Sequence, residues 1–259
     1  LTLPQVIATP HLGASTVEAQ ESVAVDVSND IIKFFKTGTV TNPVNMPSIP
    51  KEKLAEVEPF FALAEKLGKF LIQVSKGAIK ELNISYAGEV ANYDVRPLTA
   101  NAIKGLLSTN HGTHVNDVNA RYLAERVGMK INEHKTTTAK GFTNLVTVEV
   151  KTDKETHSVA GTLLNGLGAR IVKVEGFVVD VKPEGNYLYI KNQDKPGSIG
   201  RVATKLAESR INIATMQVGR DEVGGSAVMM LGVDNVVTEQ DLAVVATLEN
   251  IDEVKAITL

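Results

Sequence analysis

The 259 residues carry 27 Lys and Arg against 30 Asp and Glu, a formal net charge of −3, a poor basis for holding nucleic acid or an anionic membrane. With 43% apolar residues the chain can build two or three modest domains, and with 5% aromatics and no Trp their cores should be mainly Val, Ile, Leu and Ala. Cysteine is absent, which excludes disulfides, thiolate chemistry and Cys-ligated zinc or iron–sulfur clusters within this chain.

No apolar run approaches the roughly 20 residues that span a bilayer, and without a signal peptide the chain reads as cytoplasmic. It starts at Leu1 rather than Met, which suggests a longer parent. Three blocks follow, 1–47, 48–184 and 185–259. In the first, Val6-Ile7-Ala8 reads as a strand end, and Ser15-Thr16-Val17-Glu18 has capping-box spacing, with Ser15 as acceptor. Val23, Val27, Ile31 and Phe34 recur at helical spacing, and Lys36 and Gly38 supply a stop. His11 thus falls in a loop before a helix. The stretch Asn42–Pro50 holds three prolines and reads as an extended linker.

In the second block Leu54, Val57, Phe61, Ala64, Leu67, Leu71 and Val74 make an apolar helical stripe that Pro59 should kink or restart. A strand is predicted over 78–87 and helices over 96–109 and 116–127, the latter capped by Asn116 and closed by Gly128. Strand-like runs then occupy 129–137, 145–150, 157–164 and 170–174, and Phe177, Val179 and Val181 continue the alternation. Helices followed by an antiparallel sheet define an α+β domain. The third block gives strands at 187–192, 211–218, 227–233 and 254–259. One helix follows Pro196-Gly197, and another is capped by Thr238-Glu239-Gln240-Asp241. The order β-α-β-β-α-β is the ferredoxin-like split.

Chemistry concentrates in Asn192-Gln193-Asp194-Lys195-Pro196-Gly197-Ser198-Ile199-Gly200. A strand ends in polar residues and turns into a helix whose first amides are unpaired and suit a carboxylate. Asp194 beside them suits an ammonium group, and Asn212, expected one strand over, offers an amide. Together they would seat a free α-amino acid; the plain alternative is an Asp-x-Pro-Gly turn that only caps the helix. In the second block Arg170 and Lys182, with Lys173 nearby, gather positive charge that would suit a phosphate ester such as phosphoglycerate, or else form a solvated charged face. His111 and His114, with His157, lack diagnostic metal spacing, so no metal site is expected.

Asp194-Lys195-Pro196-Gly197-Ser198-Ile199-Gly200 followed by Ile211-Asn212-Ile213 resembles the ACT domain, the amino-acid-sensing module of metabolic enzymes. The resemblance implies an L-serine site at Asn192, Asp194 and Asn212, with backbone from Gly197 and Ser198, and pairing of ACT sheets between subunits. Thr9-Pro10-His11-Leu12-Gly13-Ala14-Ser15-Thr16 resembles the last signature of the D-2-hydroxyacid dehydrogenases. There the histidine takes the substrate hydroxyl proton as hydride leaves for NAD, work suited to imidazole's pKa.

In order, the parts look like the end of a long-form D-3-phosphoglycerate dehydrogenase: a catalytic remnant, an intervening domain and an ACT domain. That resemblance implies oxidation of 3-phosphoglycerate with NAD, feedback by L-serine, and homo-oligomers formed through both later domains. The remaining resemblances are to another hydroxyacid dehydrogenase or to the regulatory half of an iron–sulfur serine dehydratase. A purely structural oligomerisation module stands against all of these. No Gly-x-Gly-x-x-Gly turn follows any strand here, so His11 is expected to be orphaned and the chain inert by itself.

Overall fold

The computed structural model describes residues 3–37, 51–111 and 114–259. The chain divides into two compact units, Leu1–Ser48 and Ile49–Leu259. In the first, helix α1 (Val17–Thr37) buries none of its residues. Its start differs from the expected box: Thr16, not Ser15, accepts the Ala19 amide at 3.2 Å. Val6-Ile7-Ala8 forms no strand, because an extended run needs a hydrogen-bonded neighbour and none of the described residues of this unit supplies one. The expected linker at Asn42–Pro50 lies outside the described residues.

The second unit is α+β and contains two sheets. Helix α2 (Lys51–Val74) leads into strand β1 (Ile79–Gly88), then helices α3 (Arg96–His111) and α4 (Ala120–Arg126). Strands β2 (Lys130–Thr136), β3 (Asn144–Thr152), β4 (Thr156–Leu164), β5 (Gly168–Val174) and β6 (Phe177–Val181) complete a six-stranded sheet in the order β2-β1-β3-β4-β5-β6. This sheet is mixed rather than antiparallel throughout: the α3–α4 crossover returns the chain so that β2 lies parallel to β1, with Leu82 opposite Ile131. Pro59 sits inside an unbroken α2. α4 begins at Ala120, later than expected, because the Asn116 carboxamide accepts the amides of Val118 and Asn119, both at 3.0 Å, in a preceding turn.

The second sheet comprises β7 (Asn186–Gln193), β8 (Ile213–Arg220), β9 (Ser226–Val233) and β10 (Ile251–Thr258), with helices α5 (Ser198–Glu208) and α6 (Glu239–Ala246). Its order, β10-β7-β9-β8, is all antiparallel and is the ferredoxin-like arrangement. The Thr238 hydroxyl accepts the Asp241 amide while Asp241 accepts back, so the predicted cap of α6 forms.

Strand alternation sends the two faces of this sheet to different cores. Leu188, Ile190, Met229 and Leu231 pack with Val202, Leu206 and Val245 under the helices. Tyr187, Tyr189, Val228, Met230 and Ile257 join the core of the other sheet and α2, where Tyr189 meets Phe70 edge-on at 6.3 Å. Aromatics therefore carry more of the core than composition suggests: Tyr86, Tyr189 and Phe70 are among the largest fully buried side chains.

Candidate effector-binding site

The polar end of β7 meets α5 through a tight turn. Gly197 N-caps α5 with φ +88°, a left-handed conformation that side-chain-bearing residues avoid. A β-carbon there would also meet Arg201 Nη1 at 2.8 Å. The Ser198 amide goes to Lys195 O and that of Arg201 to Gly197 O, while those of Ile199 and Gly200 have no backbone partner.

Asn192 and Ser198 lie beneath this turn, 2% and 3% exposed. Asn192 donates Nδ2–H to Gln193 O at 2.8 Å, and the Ser198 hydroxyl donates to the same carbonyl at 3.4 Å. Asn192 Oδ1 is sealed from solvent without a hydrogen-bond donor. Such a buried, unmet acceptor costs about 1–3 kcal/mol, and it suits an incoming N–H group.

Asp194 is close by but engaged. Its Oδ2 lies 2.5 Å from Arg220 Nη1 and accepts the Gly224 amide at 3.4 Å, and its own amide donates to Gly225 O at 2.8 Å. The Arg220 guanidinium first, and then the Gly224 amide, hold this carboxyl below the usual carboxylate range. Arg220 escaped the sequence reading. The register supplies the missing signal: Arg220 and Asn192 both stand opposite Ala227, on either side of β9.

That register also corrects the placement of Asn212. Its neighbour Ile213 faces Val233, which faces Asn186 at the start of β7. Asn212 therefore lies at the opposite end of the sheet from Asp194, roughly 25 Å along the strand at about 3.3 Å per residue. There it donates Nδ2–H to Asp234 Oδ2 at 2.6 Å. A single chain brings Asn192, Asp194, Gly197 and Ser198 together and leaves Asn212 apart.

Residues 56–175 match the family model for the D-3-phosphoglycerate dehydrogenase intervening domain, and residues 186–253 match that for the ACT domain. The chain carries both domains. It is 38% identical over 256 residues to the D-3-phosphoglycerate dehydrogenase of Bacillus subtilis, covering 99% of this chain and 49% of that protein. It is 39% identical over 259 residues to the Methanocaldococcus jannaschii enzyme of the same name, covering 100% and 49%. A chloroplastic D-3-phosphoglycerate dehydrogenase 3 of Arabidopsis thaliana is 34% identical over 96% of this chain and 45% of its own length. The chain thus spans about half the length of the curated relatives it matches.

In the intervening domain the expected cations already have neighbours. Arg170 Nε lies 3.6 Å from Asp180 Oδ1, and Lys182 Nζ lies 2.8 Å from Glu184 Oε2. Ile171 faces Val181, so Arg170 and Lys182 stand at adjoining positions within a group of balanced charge. A cleft of about 520 Å³ lies elsewhere in this domain, lined by Glu56, Glu89, Tyr93, Phe142 and Asn144 among others, with no Lys or Arg. It does not suit an anion.

A second polar cluster ties the two sheets together. His157 is 6% exposed, with Nδ1 2.9 Å from Glu175 Oε1 and Nε2 3.1 Å from Glu155 Oε1, the latter without hydrogen-bond alignment. Burial pushes the imidazole pKa down, but Glu175 and then Glu155 more than offset this, and the pKa is raised. Glu155 also accepts the Lys76 amide at 2.5 Å, and Lys76 Nζ pairs with Glu253 of β10 at 2.5 Å.

Among the described residues no group of three or more His, Cys, Asp or Glu side chains could hold a metal, and no helix is long and apolar enough to cross a membrane. His11 is exposed in the loop before α1. No Gly-x-Gly-x-x-Gly turn occurs in the 259 residues, so a dinucleotide finds no phosphate seat of that kind in this chain.

Proposed function

We propose that this chain is the regulatory region of a cytoplasmic, NAD-dependent D-3-phosphoglycerate dehydrogenase, which oxidises 3-phosphoglycerate to 3-phosphohydroxypyruvate on the way to L-serine. Its ACT domain binds L-serine as the feedback effector. Residues 1–47 are the closing stretch of the catalytic region, 48–184 the intervening domain and 185–259 the ACT domain. His11 is the acid–base residue of the parent enzyme, orphaned here, and the chain alone is inert.

The observation that carries the effector reading is the sealed, donorless Asn192 Oδ1 beneath the open amides of α5. The serine carboxylate docks on those amides, and its ammonium reaches Asn192 Oδ1 and Asp194. Asn212 comes from a second copy. β8 is an edge strand, and antiparallel pairing of two such edges sets the start of one beside the end of the other. Each Asp194 then faces its partner's Asn212. An anion at Arg170 and Lys182 would have to displace Asp180 and Glu184, which makes it a lesser site.

Calorimetry of the 259-residue chain with L-serine tests this. Heat is expected with the wild type, and Asp194→Ala should weaken binding by about 10- to 100-fold, the worth of a charge-assisted hydrogen bond. The Asp194–Arg220 pair favours a second reading, a purely structural oligomerisation module whose polar groups are satisfied internally. Silence with the wild type would leave only that reading.

A further inference from the structure

We infer that Arg220 gates the ammonium subsite: its guanidinium holds the carboxylate that an amino-acid effector must take, so Arg220 and the effector compete for Asp194. This rests on the reading of the ACT domain as an L-serine site and names the residue that sets its affinity.

Three contacts join Asp194 to the β8–β9 hairpin, and only one is the gate. The main-chain bond to Gly225 O and the Gly224 amide place the carboxylate. Arg220 Nη1 then covers Oδ2 at 2.5 Å. The two side chains are 51% and 24% exposed, so the guanidinium can leave for water without a desolvation cost, whereas the Asp194 backbone stays anchored. Arg220 ends β8 level with Asn192, which puts the gate at the same end of the sheet as the sealed Asn192 Oδ1. An ammonium group arriving there meets one satisfied carboxylate and one unsatisfied amide oxygen. It must displace a cation to gain the first.

Competition has a sign that other roles lack. A guanidinium that grips the effector's carboxylate would make Arg220→Gln bind more weakly. A competitor makes it bind more tightly, and since exposed ion pairs are weak, by only about two- to fivefold. Arg220→Lys, which keeps the charge but loses the planar fork, should fall between wild type and Arg220→Gln.

The experiment is L-serine calorimetry on the full chain as wild type, Arg220→Gln and Arg220→Lys, with a carbon-13 NMR titration of the Asp194 carboxyl. Tighter binding by Arg220→Gln, with the Asp194 pKa rising towards the ordinary carboxylate range in the unliganded variant, supports the gate. Equal or weaker binding by Arg220→Gln while the wild type binds overturns the gate and leaves the serine reading intact. Absence of heat in wild type and variants alike removes the serine reading and the gate with it. An unmoved Asp194 pKa in Arg220→Gln also overturns the gate, whatever the heats.

Discussion

Replacing Gly105 of α3 by alanine sets a methyl group against the main chain of α2, overlapping Glu65 O and lying 2.8 Å from Lys69 N and 2.9 Å from the Glu65 carbonyl carbon. These are backbone atoms, so no rotamer change relieves the overlap. The reciprocal contact occurs at Gly68 of α2, where a β-carbon would overlap Ala102 O and lie 3.0 Å from Leu106 N. To restore ordinary contact the helices must part by more than about half an ångström, and such a gap forfeits a quarter or more of the dispersion energy of the atoms facing it. Leu67, Leu71, Ile103 and Leu106, all fully buried, surround the crossing.

Overpacking of this kind costs about 1–3 kcal/mol and occasionally more, while alanine returns about 1 kcal/mol of helix propensity. Because the overlap is with main-chain atoms, the cost belongs at the top of that range, and we expect a net loss of about 2 kcal/mol for either single variant, or roughly 4–8 °C in melting temperature for a unit of this size. Because one separation relieves both overlaps, the double variant should lose little more than either single one, a coupling of about 2 kcal/mol. Urea titrations of the four proteins measure this. Gly200→Ala is the control: its β-carbon meets nothing within 4 Å, so it should gain about 1 kcal/mol. Additive losses, or a Gly105→Ala variant as stable as the wild type, would refute the close-crossing explanation.

Two further outcomes are expected. Because the His157 pKa is raised in the fold, its stabilisation is complete below its ordinary value near 6.5 and is lost as pH rises through the folded value. The stability gap between wild type and His157→Gln, read from urea midpoints, should therefore narrow from pH 6 to pH 9, and a constant gap would count against the buried His–Glu cluster. Tyr189 is fully buried and its hydroxyl has no hydrogen-bond partner. Tyr189→Phe, which keeps the edge contact with Phe70, should raise stability by about 1 kcal/mol; a measured loss would mean that the hydroxyl is satisfied.

The β-α-β-β-α-β order was legible because each element announces itself locally. Period-2 runs, the Pro196-Gly197 break and the Thr238 box depend on residues a few positions apart. Contacts between distant segments were not legible: the parallel β1–β2 pair, the hold of Arg220 on Asp194, and the His157 cluster. The placement of Asn212 within one chain shows why. In a split β-α-β unit β8 runs parallel to β7, since α5 carries the chain back to the starting end. The first residues of β8 must therefore lie far from the last residues of β7. Proximity in sequence to Ile211 and Ile213 says nothing about which end of the sheet Asn212 occupies. The late start of α4 has a local cause of another kind, because an Asn side chain stabilises a turn as readily as a helix.

On the proposed reading, the position of the gate also bears on how an effector signal would leave the ACT domain. Arg220 follows Gly219, and a β-carbon at Gly219 would lie 2.7 Å from Val178 O and 2.8 Å from Phe177 Cβ of β6. The edge strand of one sheet thus touches the last strand of the other at the residue beside the gate. β6 in turn follows Glu175, whose φ of +53° is strained for a residue with a side chain, and whose carboxylate holds His157. Only a glycine fits at this contact, where Gly219 packs on Val178 O and Phe177 Cβ. Regulation requires only that serine bind two arrangements of this junction unequally, and a coupling of roughly 1–3 kcal/mol is typical. The junction has the close packing from which a difference of that size can be built.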